Sequence, residues 1–191
     1  MESLFVSAGL VAIAEIGDKT QLLALVLAAR YRRPIPIVFG ILIATLVNHA
    51  IAAWAGASVS AWLDPDVLRW ILGLGFIAMA IWCLVPDKAD GAPITADNAG
   101  VFIATTIAFF LVEIGDKTQI ATVALAAQFN DVVRVTLGTT LGMMLVNVPV
   151  VMFGEVIAKK APMKIVRMIA AGAFVVLGIL ALAGAEFDLF G

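Results

Sequence analysis

Apolar positions along this chain gather into six long runs, at residues 4–29, 36–58, 68–86, 101–127, 134–157 and 165–184. A helix needs about 20 residues to cross a bilayer, so each run is long enough or nearly so. The breaks between them are short and polar. Arg30-Tyr31-Arg32-Arg33-Pro34 closes the first run, and Asp64-Pro65-Asp66 parts the second from the third. Phe129-Asn130-Asp131 parts the fourth from the fifth, and Lys159-Lys160-Ala161-Pro162 the fifth from the sixth. The longest polar stretch runs from Asp87 to Gly100, and its small and acidic residues cannot pack a core. The pattern predicts an all-α membrane protein with six transmembrane helices and one central linker.

The two sides of that linker match at a constant offset of 98 residues. Glu15-Ile16-Gly17-Asp18-Lys19-Thr20-Gln21 reappears as Glu113-Ile114-Gly115-Asp116-Lys117-Thr118-Gln119. Further along, Gly40 maps onto Gly138, Gly56 onto Gly154, Arg69 onto Arg167 and Phe76 onto Phe174. The chain therefore divides into a three-helix repeat at 1–86, a cytoplasmic linker at 87–100 and a second three-helix repeat at 101–191. Three is odd, so the second copy enters the membrane from the opposite side. Inverted-topology repeats of this kind recur among secondary transporters.

Composition agrees with a lipid-facing chain. Its 191 residues are 63% hydrophobic and only 14% charged. A soluble fold of this size has too little interior to hide that apolar surface. The net charge of -2 gives no footing for nucleic acid, and the one cysteine, Cys83, builds neither a disulfide framework nor a Cys-rich metal site. The first run lacks the basic start of a cleavable signal peptide and carries Glu15 and Asp18, so it reads as a retained helix. Arg30, Arg32, Arg33, Lys88, Lys159, Lys160, Lys164 and Arg167 lie in or beside loops one, three and five; only Arg69 and Arg134 flank loops two and four. The positive-inside rule then makes loops one, three and five cytoplasmic and puts both termini outside.

The doubled string carries the chemistry. An ionisable side chain at the bilayer centre costs about 2.5 to 3.5 kcal/mol, so the Glu, Asp and Lys of both copies cost on the order of 15 to 20 kcal/mol before compensation. Such groups must pair, face a polar cavity or bind something. On a continuous helix Glu15, Asp18 and Lys19 share one face, as do Glu113, Asp116 and Lys117. Gly17 and Gly115 allow either close helix approach or a local break that exposes carbonyls. Thr20, Gln21, Thr118 and Gln119 add neutral oxygens. The set is one of hard oxygens, suited to Mg²⁺, Ca²⁺ or Mn²⁺ rather than to zinc or copper. Four carboxylates and two lysines leave a charge of -2, which one divalent cation or two protons would neutralise. A salt bridge that only fixes helix packing would need one acid per base, and here the acids outnumber the bases.

Asn48 and Asn147, on the second and fifth runs, read either as helix–helix hydrogen-bonding groups or as members of a metal shell. His49 matches Asn147 at the offset of 98 and reads as a packing residue, with a proton relay as the alternative. Glu155 reads as interfacial, and Trp54, Trp62, Trp70 and Trp82 as interfacial anchors.

Two copies of E-x-G-D-[KR]-[ST], each on the first helix of a three-helix repeat, resemble the MneA family of bacterial manganese exporters. That family includes the Golgi and chloroplast-envelope manganese and calcium transporters and is also described as a cation/Ca²⁺ exchanger-like superfamily. The resemblance spans the chain, and neither copy departs from the signature. It implies a transporter of the bacterial inner membrane that exports Mn²⁺, or Ca²⁺ in some members, with H⁺ as counter-ion and no permanent cofactor. It carries the family's signature acids onto Glu15, Asp18, Glu113 and Asp116. Gln21, Gln119, Asn48 and Asn147 join them as expected accessory ligands. The residues alone leave open a Ca²⁺/H⁺ antiporter, a passive divalent-cation channel and the oligomeric state. An intramembrane enzyme would need a nucleophile–base pair, which the string does not offer. The charge bias has its own test: a phosphatase reporter fused after Gly191 should be active in cells, and one inserted between residues 87 and 100 inactive. The reverse pattern would invert the orientation.

Overall fold

A computed structural model describes residues 1–85, 100–154 and 163–184. Every regular element among them is a helix: α1 (Glu2–Glu15), α2 (Lys19–Tyr31), α3 (Pro34–Ser60), α4 (Pro65–Leu84), α5 (Val101–Glu113), α6 (Lys117–Phe129), α7 (Val132–Phe153) and α8 (Met163–Leu182). The expected linker, Gly100 apart, and Glu155 lie outside the described residues.

Four of the helices, α3, α4, α7 and α8, are long and apolar enough to cross a membrane, and α5 is a shorter apolar helix. They begin slightly before the apolar runs because polar residues and prolines start them. Pro34 and Pro65 take the first helical turn, where a missing N–H costs nothing. Asp64 caps α4 by accepting the Asp66 N–H at 2.9 Å, and Asp131 caps α7 by accepting that of Arg134 at 3.0 Å.

The first and fourth runs depart from expectation. Neither is one helix. Each is a tandem of two helices, α1–α2 and α5–α6, interrupted at Ile16–Asp18 and Ile114–Asp116. Each tandem nevertheless travels in one direction. A side chain on Gly40, near the start of α3, would meet the Phe102 carbonyl and Thr105 of α5. Asn48, midway, reaches Phe110 and Glu113, and Gly56, near the end, lies against the Val123 carbonyl of α6. The 27 residues of α3 rise about 40 Å, and α5–α6 runs parallel to them over most of that length.

The same contact recurs with the halves exchanged. Gly138 of α7 lies against the Leu4 carbonyl and Ser7 of α1, and Gly142 against the Ala8 carbonyl. Leu4, Ser7 and Gly138 are the offset-98 equivalents of Phe102, Thr105 and Gly40. Each half thus packs its second helix on the other half's broken helix. The pairing of α4 with α8 completes the exchange, with equivalents Phe76 and Phe174 stacked at 6.3 Å between ring centroids.

The outer faces are apolar. On α3, Ile35, Phe39, Ile43, Val47, Ile51 and Trp54 are all exposed at helical spacing, and on α7 Val133, Leu137, Leu141 and Leu145 are their counterparts. Stripes of this length suit lipid rather than water. The opposite face of α3 buries Thr45, Asn48 and His49 instead, so the polarity of the helix is turned inside out. The chain is a membrane protein.

The glycine contacts predict a stability difference. Gly138→Ala places a Cβ well inside contact with the Leu4 carbonyl oxygen, a backbone atom that cannot swing away. Thermal unfolding in detergent should show a loss of roughly 1 to 3 kcal/mol. Gly9→Ala on α1, with nothing within 4 Å of the new carbon, should show none. Equal stability of the two variants would contradict the close approach of α1 and α7.

Candidate cation site

The site is built around the two helix breaks. After Glu15 the backbone leaves the helix: Ile16 is extended, Gly17 has φ +80°, and Asp18 is extended again as the N-cap of α2. Ile114, Gly115 with φ +74° and Asp116 repeat the path. The left-handed conformation at the centre is why the string needs glycine there. Gln21 Oε1 accepts the Gly17 N–H at 2.8 Å, and Gln119 Oε1 accepts that of Gly115 at 2.6 Å. The Glu15 and Glu113 carbonyls accept the N–H groups of Asp18 and Asp116, each at 3.0 Å. E-I-G-D-K-T-Q is therefore a folding instruction: stop a helix, turn on glycine, restart after an Asp at the N-cap position whose side chain makes no cap bond, and clamp the turn with glutamine.

This overturns the expectation that Glu, Asp and Lys share one continuous helical face. The break separates Glu15 from Lys19. Each lysine becomes the first residue of a new helix, the positive end of its dipole, where an ammonium is disfavoured. The lysines turn to the opposite half. Lys19 Nζ lies 3.0 Å from Asp116 Oδ1, and Lys117 Nζ lies 3.8 Å from Asp18 Oδ1. The two pairs are equivalents under the repeat but not equally enclosed: Lys19 is 29% exposed and Lys117 only 6%. Lys117 also stands 6.0 Å from the centroid of the Trp82 ring, a cation–π contact rather than the plain interfacial anchor expected of that residue.

The two glutamates occupy separate, fully buried surroundings. Glu15 Oε1 accepts from the Thr20 hydroxyl and, at 3.0 Å, from Asn147 Nδ2 of α7. Glu113 Oε1 accepts from Thr45 Oγ1 at 3.3 Å, and its Oε2 accepts from Asn48 Nδ2 at 3.4 Å, both on α3. His49 Nε2 lies 3.4 Å from Glu113 Oε1. Asn48 Oδ1 accepts from Gln119 Nε2, so the amide is held from both sides. Thr20 and Thr118 hydroxyls also face Asp18 and Asp116, at 3.4 and 3.3 Å.

All eight expected ligand residues thus lie at or beside the breaks, but not as one cage. Among the described residues no group of three or more His, Cys, Asp or Glu side chains is placed to hold one metal ion. Glu15 Oε2 and Asn147 Oδ1 are among the buried atoms that make no hydrogen bond among the described residues. Buried oxygens without donors are uncommon and suit a cation. The expected ligands Gln21 and Gln119 have their side-chain oxygens taken by the turns. Thr45 was missed by the sequence reading, although it lies three and four residues before Asn48 and His49, on their helical face.

Two cavities lie at opposite ends of the α4–α8 pair, and only the smaller touches residues of the breaks. One, of about 480 Å³, is lined by Leu68, Arg69, Leu72 and Ala181 with the end of α6. The other, of only about 10 Å³, is lined by the equivalents Val166, Arg167, Ala170 and Cys83 and reaches Asp18 and Lys117. Four lining positions correspond under the repeat, and the remaining lining of the two cavities differs.

The chain matches the family model described as "Divalent cation/proton antiporter GDT1" over residues 3–91 and 101–188, one stretch for each half. It is 53% identical over 180 residues to a Vibrio cholerae protein named "Putative manganese exporter", covering 94% of this chain and 90% of that one. It is 26% identical to "GDT1-like protein 5" of Oryza sativa subsp. japonica, covering 96% and 95% of the two chains. It is 27% identical to a GDT1-like protein of Synechocystis, covering 84% and 86%. No solved structure matches.

The breaks can be tested directly. Gly115→Ala meets no atom within 4 Å, so its cost is that of the backbone conformation alone, roughly 1 to 2 kcal/mol. Thermal unfolding should register that loss. A variant as stable as the parent would mean that the left-handed turn at Gly115 is not formed.

Proposed function

The chain belongs to the divalent cation/proton antiporter GDT1 family, and on that premise we propose that it exports Mn²⁺ across the bacterial inner membrane in exchange for H⁺. It is a transporter and not an enzyme. Six crossings arranged as two inverted three-helix repeats, each tandem counting as one, would bring the two breaks together near the midplane. Both termini would then be periplasmic. Mn²⁺ is the cargo, and no permanent cofactor is needed.

The observation that carries the reading is the buried oxygen set at the breaks. Glu15, Asp18, Glu113 and Asp116 are each at most 3% exposed, and Glu15 Oε2 and Asn147 Oδ1 have no donor among the described residues. We assign the four acids as ion ligands or proton carriers, with Asn48 and Asn147 as accessory ligands. Gln21 and Gln119 we assign to holding the turns. Carbonyls at the ends of α1 and α5 add negative helix termini beside the glutamates. The charge balance supports exchange: the acids and lysines sum to -2, met by one Mn²⁺ or two H⁺. An arriving ion would compete with the lysine ammonium groups for Asp116 and Asp18, so loading the site would loosen the ties between the halves. The unlike cavities at the two ends of the α4–α8 pair are in keeping with alternating access between inverted halves. Mn²⁺ is favoured over Ca²⁺ by the name of the Vibrio relative.

Purified protein in liposomes tests this. Mn²⁺ flux driven by a pH gradient is expected, and Asp18→Asn or Asp116→Asn should reduce it by about 100-fold. Undiminished flux in either variant would refute the shared site. Flux indifferent to the pH gradient would point to a channel.

A further inference from the structure

His49 is the residue the reading above leaves without a task. It is fully buried on α3, and its Nε2 is 3.4 Å from Glu113 Oε1. Neither ring nitrogen makes a hydrogen bond among the described residues. A buried imidazole normally satisfies at least one nitrogen. This one stands on the same face of α3 as Thr45 and Asn48, and all three reach Glu113.

The repeat sharpens the point. The equivalent of His49 in the second half is Asn147, whose amide N–H donates to Glu15 and whose Oδ1 accepts no hydrogen bond among the described residues. Both glutamates thus receive an asparagine amide N–H, from Asn147 and from Asn48, and only Glu113 has an imidazole beside it as well. The first half-site offers oxygen alone. The second offers oxygen and one nitrogen lone pair. Ca²⁺ and Mg²⁺ take oxygen ligands, whereas imidazole suits transition metals.

We propose that His49 is a ligand of the transported ion at the Glu113 half-site, and that its nitrogen gives the site its preference for Mn²⁺ over Ca²⁺. This rests on the cation-transport reading above and adds the selectivity element. It also gives the departure from repeat symmetry a purpose: an asparagine in both halves would leave a site of oxygens only.

His49 is the chain's single histidine, so isotopic labelling of histidine labels one site. Pulsed EPR on untagged protein loaded with Mn²⁺ in nanodiscs should show nitrogen modulation, which changes to that of ¹⁵N when histidine is ¹⁵N-labelled. This arm uses the parent sequence, so the folding of a variant does not enter. In liposomes, His49→Asn and His49→Gln should lower the ratio of Mn²⁺ to Ca²⁺ flux by about tenfold. Bound Mn²⁺ without histidine nitrogen modulation overturns the proposal while leaving the transport reading intact. Modulation with an unchanged flux ratio in a folded variant overturns the selectivity role. Failure to bind Mn²⁺ at all overturns the transport reading and this proposal with it.

Discussion

The crossed pairing of lysine and aspartate is the contact on which the rest of the structure depends. A charge away from water must be matched, and each half of this chain places Glu, Asp and Lys within five residues. Pairing inside one helix would settle the lysine and leave the second acid over. Breaking the helix changes the options. The aspartate takes the N-cap position without a side-chain capping bond to the helix, the lysine moves to the positive end of a new helix, and each lysine meets the aspartate of the other half. Neither half can complete this arrangement by itself, so the ion pairs require the exchanged packing of α1 on α7 and α5 on α3.

Packing and chemistry support each other through that exchange. Gly40 and Gly138 let the long helices approach the backbones of α5 and α1. The approach delivers Asn48 to Glu113 and Asn147 to Glu15. A bulkier residue at either glycine would act at a distance, by moving an amide away from the carboxylate it contacts. Apart from Arg134 on the first turn of α7, the outward faces of the same helices carry exposed side chains that are apolar. The polar side chains along the rest of α3 and α7 are left to serve the interior.

Much of this was legible in the residues. The apolar runs marked the long helices to within a few residues, and the offset of 98 paired positions that the structure sets in equivalent places, Gly40 with Gly138 among them. The doubled string marked the two helix breaks. What one-dimensional spacing could not supply was partnership. Glu15 and Lys19 are four apart, a helical pair by count, and only the left-handed turn at Gly17 separates them. Glycine made the break possible without requiring it. The glutamines looked like ligands because their type suits metals, and their spacing gave no sign that each oxygen would also accept a turn N–H. Thr45 was invisible because threonine is common in buried helices and no motif marks it.

The departures from symmetry are as informative as the symmetry. If the halves are inverted copies, a protein in which both had identical surroundings would be open to both sides or to neither. Here the vestibule at Arg69 is wide, and its counterpart at Arg167 is closed to about the room of one water. Lys19 is partly exposed, while Lys117 is enclosed against Trp82. Four of the positions lining the two cavities correspond under the repeat, and the remaining lining differs. His49 standing where the other half has Asn147 is a different kind of departure. It is written in the sequence, so no resetting of the helices removes it.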